Sequence, residues 1–205
     1  VDCIYRRLDD SFLDPKAFNK ESVIGVPGLF KSWRKGNVGI LNAIGTGIAD
    51  DKVVYSYVNK MIVYYLGEQP ILNQVETYLC HEKIQRDYVI ENISKLVVKP
   101  ANASGGYGIM IGPKAPLKER EEVINKIKKN PREFIAQPLE ILSTAPTITE
   151  NDIEPRHLDL RPFVLSGKTS YVTTGGLTRV ALRKGSTIVN SSQGGGSKDT
   201  LIVDM

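Results

Sequence analysis

The chain has 205 residues, 41% of them hydrophobic and 24% charged, a composition that is ordinary for a soluble globular protein. Its formal net charge of +4 fits an anionic ligand, but the excess is too small and too dispersed to indicate nucleic acid. No apolar run is long enough to cross a bilayer and no signal-peptide pattern opens the sequence, so we expect a cytoplasmic protein without a membrane partner. Cys3 and Cys80 lie on runs typical of buried strands and fit no metal spacing, so we expect two reduced core thiols.

The first two thirds of the chain alternate between helical and extended patterns. Val54, Tyr57, Met61 and Tyr65 recur at helical spacing, and Gly67 ends that pattern. In chain order we expect a helix over 27–35, a strand and loop over 36–49, a long helix over 50–66, a strand over 74–80, a helix over 82–93, two strands over 96–99 and 108–112, a helix over 116–129 and a strand over 134–138.

The last third contains short β-branched runs separated by glycine, which predicts an antiparallel meander. We expect its strands over 158–165, 170–174, 177–183 and 187–190, after a surface loop over 142–155 and before a flexible glycine segment over 193–199. Helices followed by antiparallel strands indicate an α+β fold rather than a regular parallel βαβ sheet.

A glycine-rich segment over 96–112 is the most informative motif. An apolar run ends at Lys99, a loop of small residues with three glycines follows, and a second apolar run leaves the loop. Glycine N–H groups can approach a polyphosphate closely, and Lys99 can place a positive charge on its oxygens. The segment is neither a P-loop nor a dinucleotide fingerprint, since both open a helix. The alternative interpretation is an ordinary glycine-rich hairpin.

Several further motifs accompany this loop in a fixed order. Asp159 and Arg161 form a D-x-R pair on one face of a predicted strand, and Arg179 lies on a neighbouring strand. The whole set resembles the circularly permuted ATP-grasp family of bacteria, type 2, whose substrates are unknown. The segments that carry this resemblance are Ile4-Tyr-Arg-Arg-Leu-Asp-Asp10, Asn42-Ala-Ile-Gly-Thr-Gly47, Ala103-Ser-Gly-Gly-Tyr-Gly108, Leu158-Asp-Leu-Arg-Pro162, Gly175-Gly-Leu-Thr-Arg179 and 189–199.

The resemblance implies an ATP-grasp-like α+β fold with mixed and antiparallel sheets, flanking helices and a glycine-rich hairpin lid. It implies three parts: an N-terminal α/β segment over 1–70 that completes the core, a small α+β lid subdomain over 71–140, and an antiparallel core-sheet segment over 141–205. It also implies that the chain is the C-terminal part of a longer protein. The activity implied is that of an ATP-dependent carboxylate–amine or carboxylate–thiol ligase, with ATP and Mg²⁺ as cofactors and an acyl-phosphate intermediate.

The same resemblance suggests a role for each candidate residue. Lys52 and Lys99 suit the α- and β-phosphates, and Gln137 suits the adenine edge. Arg161 and Arg179 suit a carboxylate or acyl phosphate, because a guanidinium binds such anions bidentately. Asp159 and Asn190 offer oxygen ligands to Mg²⁺. The loop expected to close over the γ-phosphate comprises Ser104, Gly105, Gly106, Tyr107 and Gly108, and the residues expected to contact substrate are Arg6, Arg7, Asp9 and Asp10.

Plainer interpretations stand beside these roles. Lys52 can be a solvated residue of a first helical turn, Asp159 and Arg161 can simply form an ion pair, and Asn190 can belong to a turn. The Glu-x-Asn pair that ATP-grasp enzymes use for magnesium does not occur in the sequence. We therefore expect turnover only from a full-length protein, and a non-catalytic or truncated ATP-binding module is the alternative.

The expected partners are a small carboxylate and an amine, or a peptide, and identical chains can associate. A nucleic-acid-binding protein is a further class, suggested by the pI of 8.9 and the Lys126-Ile-Lys-Lys129 run. That run shares a helix with several glutamates and lacks interleaved aromatics, so we expect no nucleic-acid partner.

Overall fold

A computed structural model of the chain describes residues 1–103, 106–150, 152–187, 189–190 and 194–202. The described helices are α1 (Asp10–Leu13), α2 (Leu29–Arg34), α3 (Lys52–Tyr55), α4 (Val58–Leu66), α5 (Lys83–Glu91) and α6 (Leu117–Lys129). The strands are β1 (Cys3–Tyr5), β2 (Gly39–Leu41), β3 (Tyr78–Leu79), β4 (Leu96–Pro100), β5 (Met110–Ile111), β6 (Phe134–Pro138), β7 (Thr144–Ile148), β8 (Ile153–Ser166), β9 (Ser170–Ala181) and β10 (Gly195–Leu201). Within these ranges no helix has both the length and the apolar character needed to span a membrane.

The strands of the described residues form three separate sheets. Strand β1 pairs in parallel with β2, and the two other sheets are antiparallel, with strand orders β3-β6-β4-β5 and β10-β9-β8-β7. This mixture of helices and antiparallel sheets fits the α+β, ATP-grasp-like fold that the sequence predicts. The division into parts over 1–70, 71–140 and 141–205 stays a prediction.

The sheet with strand order β3-β6-β4-β5, called here the middle sheet, carries the largest apolar core of the described residues. Val89 of α5 and Ile127 of α6 are fully buried in one cluster with Val98 and Met110 of the sheet. A second cluster joins Val53 of α3 to Leu79, Ala101 and Ile135. Burial of Val53 there fixes the start of α3 against the sheet, so the neighbouring Lys52 lies beside β4.

The single helix predicted over 50–66 is wrong, because it divides into α3 and α4. The Ser56 hydroxyl donates to the carbonyl of Val53 at 2.7 Å, a local bond that competes with continued helix. Val53 is buried, whereas α4 has no buried residue, so the two halves face different surroundings. The predicted end is confirmed, since Gly67 adopts the left-handed conformation with φ 67°.

Two predictions for the last third of the chain are also wrong. The surface loop expected over 142–155 instead contains β7 and the start of β8, which pair from Thr144 with His157 to Ile148 with Ile153. Strand β7 lies at the edge of its sheet. Proline has no backbone N–H to donate, and an edge strand is where a proline such as Pro146 is tolerated.

The predicted division of the meander is the second, because the strands expected over 170–174 and 177–183 are one strand, β9, and the described residues 187 and 189–190 are outside any strand. The strand after β9 is β10, which lies in the segment expected to be flexible and is ordered by pairing along 175–181 of β9. The expectation for the thiols is half right. Both cysteines are free, but Cys3 is exposed and only Cys80 is buried. Burial raises the pKa of Cys80 to about 12.

Candidate functional site

The first turn of α3 holds Lys52 beside the middle sheet. The Asp51 carboxylate caps the helix by accepting from Val53 N at 2.8 Å and binds Arg132 Nη2 at 2.7 Å. Burial acts to raise the pKa of Asp51, but these donors outweigh it and hold the pKa below its usual value. Arg132 precedes β6, so this ion pair ties the helix start to the sheet. Lys52 N donates to the carbonyl of Ala101 at 3.1 Å, just beyond β4.

The two lysines make different hydrogen bonds. Lys52 Nζ donates to the carbonyl of Ala103 at 2.6 Å and to that of Ala101 at 3.4 Å. Lys99 Nζ donates to Gln137 Oε1 at 2.6 Å, and Gln137 Nε2 donates to Thr77 Oγ1 at 2.9 Å. Lys99 and Gln137 are diagonal neighbours on β4 and β6, because Lys99 is opposite Ile135 in the register.

Both ammonium groups are held where a positive charge is costly. Burial lowers the pKa of Lys52, although the nearby carboxylates of Asp51 and Asp50 partly offset it. Burial also lowers the pKa of Lys99, and the charge of Lys52 lowers it further. Within the described ranges neither ammonium forms an ion pair with a carboxylate at contact distance. An anion placed between them would relieve their mutual repulsion.

Lys52, Lys99 and Gln137 open onto one cavity of about 320 Å³, called here the Lys52–Lys99 cavity. It is lined by Ala49, Asp50, Asp51, Lys52, Tyr55, Val75, Lys99 and Gln137. The structure thus brings together three residues predicted to bind nucleotide. Asp50, Asp51, Arg132 and Thr77 were missed. The Asp-Asp-Lys run before α3 is the signal that could have found the first two.

The glycine-rich segment is a β-hairpin, as predicted. Strands β4 and β5 pair antiparallel from Val97 with Ile111 to Val98 with Met110. Gly108 has φ 71°, and a Cβ there would lie 2.9 Å from the Pro100 ring, so the turn requires glycine. Gly106 also has a positive φ, and Tyr107 is exposed. Ser104 and Gly105 lie outside the described residues.

The predicted residues of the meander lie together. Asp159 is opposite Arg179 in the β8–β9 register, and Arg161 donates to Asp159 Oδ2 through Nη2 at 2.8 Å and Nε at 3.1 Å. Arg179 Nη1 donates to Asn190 Oδ1 at 3.1 Å. Asp159 Oδ1 and Arg179 Nε are buried with no hydrogen-bond partner in the described structure. The Lys52–Lys99 cavity contains no residue of β8 or β9 in its lining.

This cluster contains oxygen atoms of the kind that Mg²⁺ prefers. The Oδ1 atom of Asp159 is buried with no hydrogen-bond partner among the described residues, and Asn190 Oδ1 accepts from Arg179 Nη1. Mg²⁺ in nucleotide sites is usually held by one or two carboxylates plus phosphates and water, so these residues fit a partial shell. Across the described parts of the chain, no group of three or more His, Cys, Asp or Glu could hold a metal by itself.

The four residues predicted to contact substrate divide into two kinds. Arg6 is buried and donates to the carbonyls of Asn42, Leu8 and Ala43 and to the carboxylate of Asp10, so Arg6 and Asp10 hold the fold together. Arg7 and Asp9 are exposed. All four line a second cavity of about 460 Å³, called here the Arg7–Asp50 cavity, with Tyr5, Leu8, Asn42, Thr46, Gly47 and Asp50.

Comparison with known proteins identifies the class. The chain belongs to the circularly permuted ATP-grasp type 2 family, whose profile matches residues 1–181. It is 55% identical to an uncharacterized protein of Synechocystis over 99% of this chain and 42% of that protein. It is 53% identical to an uncharacterized protein of Mycobacterium tuberculosis, over 99% of this chain and 37% of that protein.

A third relative is the protein of Frankia casuarinae named "Putative glutamate--cysteine ligase 2-2", which is 48% identical over 98% of this chain and 23% of that protein. The chain therefore spans less than half the length of each of these relatives.

Proposed function

We propose that this chain forms the ATP-binding part of an ATP-dependent carboxylate–amine ligase that works through an acyl phosphate. The observation that carries the proposal is the pair of half-buried cations, Lys52 and Lys99, that share one cavity and contact no carboxylate of the described residues. Membership of an ATP-grasp family supports ATP as the anion that fits there.

The residues have distinct tasks in this proposal. A carboxylate is a poor acyl donor because its oxygen leaves badly, and ATP supplies the phosphoryl group that makes it a leaving group. Phosphoryl transfer depends mainly on positioning and on stabilising charge. Lys52 and Lys99 hold the α- and β-phosphates, and Gln137 offers its amide to the adenine edge. Arg161 and Arg179 exchange their present partners for the carboxylate or acyl phosphate.

Magnesium is the second cofactor of this proposal. Asp159 and Asn190 would hold the ion, which would neutralise phosphate charge so that an anionic nucleophile can approach. Further ligands would come from the phosphates, from water and from any residues that the full-length protein adds.

The glycine hairpin is proposed to close over the phosphates. Lys52 Nζ donates to the carbonyls of Ala101 and Ala103 at the base of the hairpin loop. A phosphate that binds Lys52 would therefore lie close to that base. We expect backbone amides over 101–103 and 106–108 to exchange more slowly with solvent when ATP is bound. Equal exchange with and without ATP would rule out closure.

The name of the Frankia casuarinae relative supports a ligase class. The matched region is only 23% of that protein, so its printed name describes a protein that extends well beyond it. The proposal takes from it only the formation of a bond to a carboxyl group, and names neither acid nor amine from it.

A non-catalytic nucleotide-binding module is the second candidate. The missing Glu-x-Asn pair and the incomplete metal shell favour it. ADP formation by the complete gene product, dependent on Mg²⁺, an acid and an amine, would select the ligase. ATP binding without ADP formation under any such supply would select the module.

Calorimetric titration of the complete gene product with ATP and Mg²⁺ tests the binding claim. Lys99→Ala should weaken binding by about 1.5–3 kcal/mol, because it removes a charge-assisted contact. Lys95→Ala removes an exposed lysine close in sequence and serves as the matched control. Absence of ATP binding, or an equal loss in both variants, would reject the proposal.

A further inference from the structure

The Arg7–Asp50 cavity adjoins the Lys52–Lys99 cavity. Asp50 lines both cavities, since it ends the 3-10 turn Thr46–Asp50 that leads into α3. The first cavity is lined by the two lysines together with Asp50 and Asp51, and the second is lined by a different set of charges of both signs. A ligand in the second cavity would thus lie next to the site proposed for the phosphates.

Part of the charge in this cavity is already used to build its walls. Arg6 and Asp10 pair with each other, and Asp10 Oδ2 also accepts from Gly45 N at 2.9 Å. Asn42, with φ 59°, donates its Nδ2 to the carbonyl of Arg6 at 2.8 Å. These bonds fasten the loop after β1 to the loop after β2, so the cavity is preformed.

Other charges in the same cavity are not used. Arg7 and Asp50 are both exposed, and neither forms a hydrogen bond or ion pair through its side chain with any other described residue. Asp9 Oδ1 accepts from Ser11 N at 2.8 Å and from the Ser11 hydroxyl, and Asp9 Oδ2 has no partner among the described residues. The bonds from Ser11 lower the pKa of Asp9, so it carries its negative charge at neutral pH.

The arrangement selects a ligand that carries both charges. A simple carboxylate would meet Arg7 favourably but would be repelled by Asp9 and Asp50. A simple amine would pair with those carboxylates but would be repelled by Arg7. A phosphate dianion would meet the same repulsion as the carboxylate, more strongly. A molecule with neighbouring carboxylate and ammonium groups satisfies both sets, and about 460 Å³ suits a small organic ligand.

We infer that the Arg7–Asp50 cavity binds the zwitterionic end of an α-amino acid, with Arg7 on the carboxylate and Asp50, assisted by Asp9, on the ammonium. The inference rests on the proposed function for its role, which is to supply one ligation partner beside the phosphates. The binding itself can be measured without any turnover.

The test is titration of the complete gene product with L-alanine, L-glutamate and L-lysine, followed by calorimetry or by NMR shift changes. Propionate and ethylamine are the matched probes for L-alanine, since each lacks one of its two charged groups. We expect at least one amino acid to bind. L-Alanine, if it binds, should do so about tenfold or more tightly than propionate or ethylamine.

Arg7→Gln and Asp50→Asn should each weaken amino-acid binding about tenfold or more, because each removes a charged contact and leaves a polar, uncharged side chain. Arg183→Gln and Asp199→Asn, which alter exposed charges elsewhere, are the controls and should leave it unchanged. A far-ultraviolet circular dichroism spectrum like that of the natural protein shows that each variant is folded.

The outcomes separate the two proposals. If no amino acid binds while ATP does, or if Arg7→Gln and Asp50→Asn bind amino acids like the natural protein, the amino-acid site is rejected and the ATP site stands. If amino acids bind with the expected losses and ATP does not bind, the amino-acid site stands and the proposed ligase function is rejected.

Discussion

The two clusters of predicted site residues differ in how their charges are balanced. In the Lys52–Lys99 cavity the ammonium groups donate to carbonyl oxygens, and their charges stay uncompensated at contact distance. In the β8–β9 cluster Arg161 is already bound to Asp159, and Arg179 to Asn190.

The difference teaches which half of the site is ready for a ligand. A half-buried cation without a contacting counter-ion gains when an anion binds, because part of its desolvation has already been incurred. A guanidinium in an ion pair must first give up its partner, so its net gain on binding is smaller. The affinity for nucleotide should therefore depend mostly on Lys52 and Lys99. The residues of β8 and β9 should mainly affect the binding of Mg²⁺ and of the carboxylate substrate.

The largest expected effect comes from removing both cations of the first cavity. Lys52→Met with Lys99→Met should weaken ATP binding about a hundredfold or more, since two charge-assisted contacts are lost. Calorimetry measures it, and Lys95→Met is the control. A double variant that still binds ATP within a few-fold of the natural protein would place the nucleotide elsewhere.

The second prediction compares the packing beneath the two clusters. Ile135 is fully buried opposite Lys99. The substitution Ile135→Ala should lower the free energy of unfolding by about 2–5 kcal/mol, because it leaves a cavity in a packed sheet. Leu165 is exposed on the paired strands β8 and β9, and Leu165→Ala should change the free energy of unfolding by no more than about 0.5 kcal/mol. Urea denaturation gives both values. An equal loss of unfolding free energy in both variants would mean that β8 and β9 are packed around Leu165 as tightly as the middle sheet is around Ile135.

The third prediction concerns Asp159. Asp159→Asn keeps the size of the side chain but removes the charge that attracts a cation. The Mg²⁺ concentration needed for half-maximal nucleotide binding should therefore rise, on the order of tenfold. Arg183→Gln is the control for surface charge. A variant that needs no more Mg²⁺ than the natural protein would leave Asp159 with only its ion pair to Arg161.

The smallest expected effect is on stability as a function of pH. The pKa of Lys99 is lowered in the fold from its ordinary value of 10.5, so holding it protonated costs stability at neutral pH. As pH rises through the folded pKa toward 10.5, the unfolded chain binds more protons than the folded one, and this cost disappears.

The variant Lys99→Met has no ammonium group at this position and therefore lacks this loss of stability. Its unfolding free energy minus that of the natural protein should fall as pH rises within the same window. Denaturant titrations at several pH values measure the difference, with Lys95→Met as control. A difference that rises with pH would show that Lys99 is stabilised by a negative charge instead.

Sequence reasoning found what short-range patterns determine. The glycine hairpin, the helix ends and the shared face of Asp159 and Arg161 follow from spacing and residue type alone. The break between α3 and α4 did not, because it depends on burial of Val53 against distant residues. Strand β10 did not either, since its glycines carry no strand preference and its order comes from pairing with β9.

The candidate site was predictable in its residues but not in its pairings. The bond between Lys99 and Gln137 requires β4 and β6 to be neighbours, and the support from Thr77 requires the β3–β6 pairing. The Asp-Asp-Lys run could have drawn attention to Asp50, but its place between two cavities is fixed by tertiary structure and could not be predicted from that run.

Titration of the lysine side chains by NMR tests the central claim most directly. With ¹³C-labelled lysine in the complete gene product, the pKa of Lys52 and of Lys99 can be followed with and without ATP and Mg²⁺. The account predicts that both pKa values lie below the ordinary value in the free protein and rise when ATP binds, because phosphate charge then stabilises the ammonium form. Values that are ordinary in the free protein, or that stay unchanged at saturating ATP, would contradict it.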